Sequence, residues 1–298
     1  MTFLKRDATK IDQPYIPLTQ THAWSTLTPD QWLQAPFLAE IVTSLSDMGI
    51  EVQQFHSESG QGQYEFVLAP QPPLLAVDSL IQARQVISQI AALHDLRATL
   101  YPEPFSGIGT AAHVHISLDP PDQDLQFFVG GVLNHLPAIC AFAMPEEVSY
   151  ERVVDNSWTG GRWIAWGTQN REVPLRRVTH GRWEIRCLDG LANMYFALAA
   201  VLAAGSLALK SPLQDYPQKD VPYNPSQLDE AGKASYGIVQ KLPASLTEAM
   251  NALAADVPLA GAMAEGLVKN FLAMKESEQR MLGEMRVAER RVWLIERY

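Results

Sequence analysis

Within Gly181-Arg182-Trp183-Glu184-Ile185-Arg186, charged and apolar side chains alternate residue by residue. A strand's period of two puts Arg182, Glu184 and Arg186 on one face and Trp183 and Ile185 on the other. Three charges cannot line an ordinary apolar core, so their face meets either solvent or a polar cleft. The stretch closes residues 162–186, which hold three short strand-like runs, and a long helix is expected behind it at 192–207.

On the N-terminal side a helix is expected over 36–48, with Gly49 as its C-cap. Residues 51–68 have strand character interrupted by Ser59-Gly60-Gln61-Gly62, a hairpin signal. Asp78 is expected to cap a helix reaching residue 94, with Leu80, Ala83, Ile87, Ile90 and Ala91 in its apolar stripe. Strands follow near 97–101 and 113–118, separated by Gly107-Ile108-Gly109, and a further helix covers 124–143. Residues 1–30 read as irregular and polar, and 212–225 as a Pro-rich loop. Beyond that loop the chain reads as helical, including 246–254 and 267–286. Strands and helices in mixed order, without regular βαβ alternation, indicate an α+β fold. With no internal repeat or linker in view, residues 1–298 are expected to form a single domain.

Composition narrows the function classes. A net charge of −10 argues against a nucleic-acid partner, whose phosphates need surface Lys and Arg to neutralise them. Cys140 and Cys187 make neither a disulfide framework nor a Cys-x-x-Cys metal clip. The opening Met1-Thr2-Phe3-Leu4 is too short an apolar run for a secretory signal. The apolar stretch 192–209 contains Asn193, Tyr195, Gly205 and Ser206, which suits a buried helix with a small-residue face better than a membrane span. No membrane partner is expected, and the cytoplasm is the expected location.

Three segments carry chemistry. If the chain reverses over 59–62, Glu58 pairs with Gln63 and His56 with Glu65, all on one face with the two carboxylates diagonal. Two close carboxylates repel unless a proton or cation lies between them, although two solvated hairpin glutamates remain the plainer alternative. His113 and His115 share one strand face, as ligands or as satisfied polar residues. Arg152, Arg171, Arg176 and Arg177 add guanidinium groups, which grip phosphate and carboxylate oxygens in a fork or simply sit in solvent. Glu58, Glu65, His113 and Glu184 together form a candidate divalent-metal site.

Over nearly its whole length the sequence resembles the glutamine synthetases. His56-Ser57-Glu58-Ser59-Gly60-Gln61-Gly62-Gln63-Tyr64-Glu65 resembles the family's metal-glutamate hairpin, and Gly109 to Leu118 its glycine loop and His-x-His strand. Ser149-Tyr150-x-Arg152, Asn170-Arg171 and Arg176 sit where the family has its substrate and phosphate arginines. Arg182-Trp183-Glu184-Ile185-Arg186, followed by Asp189, Asn193 and Tyr195, is the most specific match. Residues 61–117 resemble most the glutamine-synthetase-like region of fungal developmental-regulator proteins.

The resemblance implies the catalytic fold shared by glutamine synthetases and guanido kinases, an antiparallel sheet with flanking helices. It implies that Glu58 and Glu65 bind one metal, Mg²⁺ or Mn²⁺, and His113 and Glu184 a second. Gly109, Arg152 and Arg186 would hold a glutamate-like acid, Arg171 and Arg176 the transferred phosphoryl group, and His115 and Arg182 the phosphates of ATP. Arg152, Arg171 and Arg186 are thereby the candidate catalytic residues. The implied reaction joins ammonia or an amine to a γ-carboxylate through an acyl phosphate. The motifs do not match a phosphagen kinase.

Departures from the family pattern are equally specific. Ile108 stands where the family has Asn before the loop glycine. Trp158 falls where the family carries a flap glutamate, and an indole cannot accept a proton, although Asp155 lies close by in sequence. A bulkier or aromatic amine in place of ammonia is consistent with that change. The family's N-terminal β-domain and its Glu-x-Glu strand have no counterpart in this sequence; a homo-oligomer is the family habit. An impaired relative with a regulatory or binding role is the alternative expectation.

Overall fold

The protein is represented by a computed structural model that describes residues 1–298 except 11, 21–26, 34–35, 106, 108, 118–123 and 211–218. The chain begins β1 (Thr2–Arg6), β2 (Tyr15–Pro17), α1 (Pro29–Trp32), α2 (Pro36–Asp47), β3 (Val52–Ser57), β4 (Tyr64–Leu68), α3 (Pro73–Leu93) and β5 (Leu96–Thr99). β6 (Val114–Ser117), α4 (Asp124–Asn134), α5 (Leu136–Ala143), α6 (Glu147–Glu151), β7 (Trp166–Thr168), β8 (Leu175–Thr179) and β9 (Arg182–Ile185) follow. The C-terminal part is helical: α7 (Met194–Lys210), α8 (Glu230–Ser235), α9 (Leu246–Ala255), α10 (Val257–Ala262), α11 (Glu265–Gly283) and α12 (Val287–Arg297). The architecture is α+β. Ile108, Leu118 and the first half of the expected 212–225 loop lie outside the described residues, as do 11 and 21–26 of the stretch expected to be irregular.

Where the sequence reads as one domain, the chain packs as two compact units, Met1–Thr110 with Leu282–Tyr298, and Ala111–Met281. The first unit is discontinuous because α12 returns to it, with Thr99 Oγ1 donating to the Tyr298 carbonyl at 2.9 Å. Its larger sheet has the order β2-β1-β5, antiparallel throughout. Residues 1–30 are therefore not wholly irregular. β1 buries Phe3 and Leu4 in succession, so no period-two alternation marks it as a strand in the sequence. Phe3, Phe37, Ile41, Leu45, Ile87 and Ala91 share this unit's core.

Two helix boundaries in this region reflect backbone chemistry. α2 ends as expected, with Gly49 in the left-handed region at φ 77°. α3 starts at Pro73 and not at Asp78. Proline lacks the N–H that a first helical turn cannot satisfy anyway, and its fixed φ suits that position.

In the second unit a four-stranded sheet has the order β6-β9-β8-β7, antiparallel except for the parallel pair β7–β8. The helix expected over 124–143 is two helices, α4 and α5, bent by 75°. Pro137 in the first turn of α5 cannot continue the hydrogen-bond ladder of α4. Likewise the helix expected over 267–286 stops at Gly283, and Arg286 is extended before α12 begins. Among the described residues no single helix is long and apolar enough to cross a membrane.

α7 packs against α4, α5 and α10, and its buried side is mostly Ala and Gly, with Ala197, Ala200, Ala204, Gly205 and Ala208 beside Met194 and Val201. Small residues let the α4 backbone come close. A Cβ at Gly131 would lie 2.4 Å from the Ala204 carbonyl oxygen, and one at Gly205 2.2 Å from the Phe128 ring. In an open helix, Gly→Ala stabilises by about 1 kcal/mol. Here the overpacking cost of about 1–3 kcal/mol reverses the sign. Gly131→Ala should lower the urea midpoint at unchanged slope; a raised midpoint would contradict the close α4–α7 approach.

Candidate functional site

The four candidate metal ligands fall two in each unit. In the first, β3 and β4 form the expected hairpin, with His56 opposite Glu65 and the Glu58 N–H donating to the Gln63 carbonyl at 2.9 Å. Its tight turn needs its glycines. A Cβ at Gly60 would collide with the Gln63 amide at 2.1 Å, while Gly62 has φ 69° and would collide with the Phe3 carbonyl at 2.5 Å. The turn is thereby seated on β1, where the Phe3 N–H donates to the Gly62 carbonyl at 2.8 Å.

That geometry brings three ligand-type side chains together. His56 Nε2 is 2.9 Å from Glu58 Oε1 and 3.2 Å from Glu65 Oε2. One ligand atom from each of the three lies within 4.8 Å of the others. Octahedral Mg²⁺ or Mn²⁺, with bonds of about 2.1 Å, places neighbouring ligand atoms about 3 Å apart. The donor set therefore fits a hard divalent cation, and the same spacing equally suits the hydrogen bonds seen. His56 is the member that the sequence placed on the right face without assigning it a role.

In the second unit, β9 lies between β6 and β8. His115, Glu184 and Arg176 form one lateral row across the three strands. Val114, Ile185 and Leu175 form the adjacent row, which turns toward the opposite face. At Glu184 and Arg186 the charged face of the alternating stretch is a buried polar cluster, while Arg182 at its start is exposed. Glu184 is 3% exposed.

Glu184 is the hub of that cluster. Its Oε1 accepts from Arg186 Nη1 at 2.6 Å and lies 3.0 Å from His113 Nδ1. Its Oε2 accepts from Arg176 Nη1 at 3.1 Å. Burial alone would raise the carboxyl's pKa, but the hydrogen bond and charge of His113 and the charge of Arg186 outweigh it and bring it down to about 2. The group is a carboxylate throughout the physiological range.

The arginines exceed what one carboxylate needs. Arg152, at the end of α6 and 2% exposed, donates from Nη2 to the Cys187 carbonyl at 2.8 Å. Arg186 donates from Nη2 to the Trp158 carbonyl at 2.7 Å, and Arg176 also donates to Gln169. The Nε atoms of Arg152, Arg176 and Arg186 are all buried without a hydrogen-bond partner among the described residues. Burial pushes the Arg186 pKa down, Glu184 pushes it up, and the guanidiniums of Arg176 and Arg171 push it down again. The charge of buried Asp189 bears on Arg152, while Arg176 and Arg186 share Glu184, and their unmet guanidinium donors fit an anionic, oxygen-rich ligand.

The remaining candidates are more peripheral. Arg182 is exposed and donates from Nε to His115 Nδ1 at 3.1 Å. Arg171 is exposed, in the turn before β8. Gly109 is half-buried and belongs to the first unit, and Arg152 and Arg186 belong to the second. Asp155 is already engaged: its Oδ1 accepts the Arg162 N–H at 2.9 Å. Sequence reasoning missed Glu172, whose carboxylate accepts the backbone N–H groups of Asn156 and Trp158 at 3.1 and 2.9 Å. No residue spacing signals such a clamp, because it joins a loop to a segment sixteen residues away.

Comparison with known proteins gives the family. The family model for the glutamine synthetase catalytic domain matches residues 5–293. Protein fluG of Emericella nidulans is 44% identical over 301 residues, covering 100% of this chain and 35% of that protein. Gamma-glutamylpolyamine synthetase GlnA3 of Streptomyces coelicolor is 33% identical over 265 residues, covering 80% of this chain and 56% of that protein. The chain thus spans between 35% and 56% of the length of these two curated relatives. Among solved structures, GmaS in complex with ADP superposes with a TM-score of 0.80 at 25% identity, covering 98% of this chain and 71% of that one. The matched residues include the hairpin, the histidine strand and the Arg182–Arg186 stretch, and the chain belongs to the glutamine synthetase catalytic-domain family.

Proposed function

We propose that the chain carries the catalytic part of an ATP- and divalent-metal-dependent ligase that joins ammonia or an amine to the γ-carboxylate of glutamate or a glutamate-like acid. The observation that carries the reading is the pair of buried guanidiniums on Glu184, Arg176 and Arg186, each with an unmet Nε donor, and a third, Arg152, buried against the Cys187 carbonyl with its own Nε unmet. In this reading Arg152 and Arg186, with Gly109, bind the carboxylates of the acid. Arg171 and Arg176 neutralise the phosphoryl group as it passes from ATP to the γ-carboxylate, and His115 and Arg182 hold the nucleotide phosphates. The amine lone pair then attacks the acyl carbon, phosphate leaves, and a proton is released. The arginines hold the acyl phosphate in place and exclude water from it.

Glu184 with His113, and Glu58 with Glu65 and His56, would each hold a Mg²⁺ or Mn²⁺ ion. When bound, these ions supply charge neutralisation on phosphate oxygens. The proposed setting is cytoplasmic, with small-molecule substrates and copies of the same chain as partners.

A second reading, a ligand-binding or regulatory relative without turnover, is favoured by one feature. Glu184 already has three internal cationic or imidazole partners, which a metal would have to share or displace. ADP release from ATP and glutamate, measured with Mn²⁺ across a panel of amines, separates the two readings. The ligase reading expects release that depends on both metal and amine. No turnover with any amine, together with no Mn²⁺ binding by titration, would overturn it.

The metal assignment has its own check. Mn²⁺ with ATP should raise the melting temperature of the wild type by more than that of Glu184→Ala, which keeps only the hairpin site. Equal shifts in the two proteins would remove Glu184 from the metal site.

A further inference from the structure

The two cysteines lie far apart in the sequence and meet in the fold. Cys140 is on α5 and Cys187 follows β9, and they are 0% and 1% exposed. The Asp189 N–H donates to the Ala143 carbonyl at 3.1 Å, which fastens the two segments side by side. Neither cysteine is in a disulfide, and the Cys140 thiol hydrogen-bonds to the Cys187 sulfur.

A buried cysteine usually behaves as a small apolar residue, packed against carbon. This pair departs from that in two ways: its sulfurs face each other, and they are unequal. The bond from Cys140 holds the Cys187 thiol below the usual thiol range against burial, and the Arg152 charge adds to it. Donating that bond, together with burial, pushes the Cys140 thiol well up. One sulfur is prepared as a thiolate, and the other keeps its proton beside it.

The pair is also tied to the arginine cluster through its backbone. The Cys140 carbonyl accepts the Tyr150 hydroxyl at 3.2 Å, and the Cys187 carbonyl accepts Arg152 Nη2 at 2.8 Å. The C-terminal end of α6 therefore leans on both cysteines, and one of the two groups that do the leaning is a guanidinium whose Nε is unmet among the described residues.

We propose that Cys140 and Cys187 form a redox-sensitive pair, closed to a disulfide by a hydroperoxide and reopened by an external dithiol, that shifts Arg152 when it closes. The Cys187 thiolate attacks a peroxide oxygen; the S–O bond forms, the O–O bond breaks, and the departing oxygen takes up the proton that Cys187 gave up. The Cys140 sulfur then attacks the Cys187 sulfur; the S–S bond forms, the S–O bond breaks, and hydroxide leaves as water with the Cys140 proton. Two thiols and one hydroperoxide give one disulfide, one alcohol (or water) and one water.

Bonded sulfurs lie about 2.05 Å apart, well inside any hydrogen-bond separation of two thiols. Closure therefore draws α5 and the segment after β9 together, and with them the two carbonyls that hold Tyr150 and Arg152. Burial slows the reaction, which waits on local opening. The inference does not depend on the ligase reading.

The test exposes the wild-type chain to hydrogen peroxide, blocks remaining thiols by alkylation, and digests with trypsin without reductant. Cleavage after Lys and Arg puts Cys140 in peptide 98–152 and Cys187 in peptide 187–210. The monomer should give these two peptides joined, two hydrogens lighter than their sum, and dithiothreitol should separate them. No joined peptide, or one found only in a covalent dimer, overturns the inference.

Two further readouts test the order of events and the link to Arg152. Cys140→Ser should accumulate sulfenic acid at Cys187, trapped by dimedone, at least tenfold more than Cys187→Ser does at Cys140. Equal trapping would remove the assigned roles, and the wild-type digest decides the pair itself should either variant fail to fold. The Arg152 Nε–H resonance, assigned through its own side chain, should move on oxidation and return with dithiothreitol. An unmoved resonance in the joined protein would overturn the coupling to Arg152.

Discussion

A carboxylate that is 3% exposed needs charge partners, and the second unit is built around meeting that need for Glu184. Its partners come from a strand neighbour in Arg176, from its own strand two residues on in Arg186, and from His113 just before β6. Each partner then imposes a constraint of its own. Arg186 requires the Trp158 carbonyl, which fixes the loop after α6; Arg176 requires Gln169, which sits at φ 56° to reach it. Removing Glu184 would leave Arg176 and Arg186 buried without their shared carboxylate, so sheet register, loop conformation and site electrostatics are coupled through it.

The cluster is nevertheless unbalanced, and the imbalance bears on function. Arg176 and Arg186 bind Glu184 directly, Arg152 is buried and donates to the Cys187 carbonyl just past the same strand, and each keeps an Nε without a partner among the described residues. A protein optimised only for stability would bury fewer guanidiniums or satisfy them. Excess buried positive charge is what an anionic substrate or transferred phosphoryl group would balance. The half-exposed acidic hairpin of the first unit has the opposite character, two carboxylates bridged by one imidazole. Cation-seeking and anion-seeking groups in one chain are what metal-assisted phosphoryl chemistry requires of its protein.

Much of this was legible in the sequence wherever a short period controls the outcome. The alternation at 182–186 and the glycine-marked reversal at 59–62 both specify faces locally, and the structure pairs Glu184 with Arg186 and sets His56 opposite Glu65 accordingly. Features set by long-range pairing were not legible. β1 and β2 are short, and β1 buries consecutive residues, so their sheet is defined by β5 far along the chain. The break at Pro137 was readable in principle, since proline cannot continue a helix, yet the apolar run on both sides hides it. The Glu172 clamp had no sequence signal, because a carboxylate accepting backbone N–H groups leaves no trace in residue type at those positions.

The central claim is that Glu184 and His113 form a hard-cation site inside the arginine cluster, and diffraction at the manganese absorption edge tests it most directly. Crystals of the full chain exposed to MnCl₂ and ADP should show an anomalous peak within coordination distance of both Glu184 and His113, with a second peak at the Glu58–Glu65 hairpin. A map with no manganese near Glu184, and with its pairs to His113, Arg176 and Arg186 unchanged, would contradict the account.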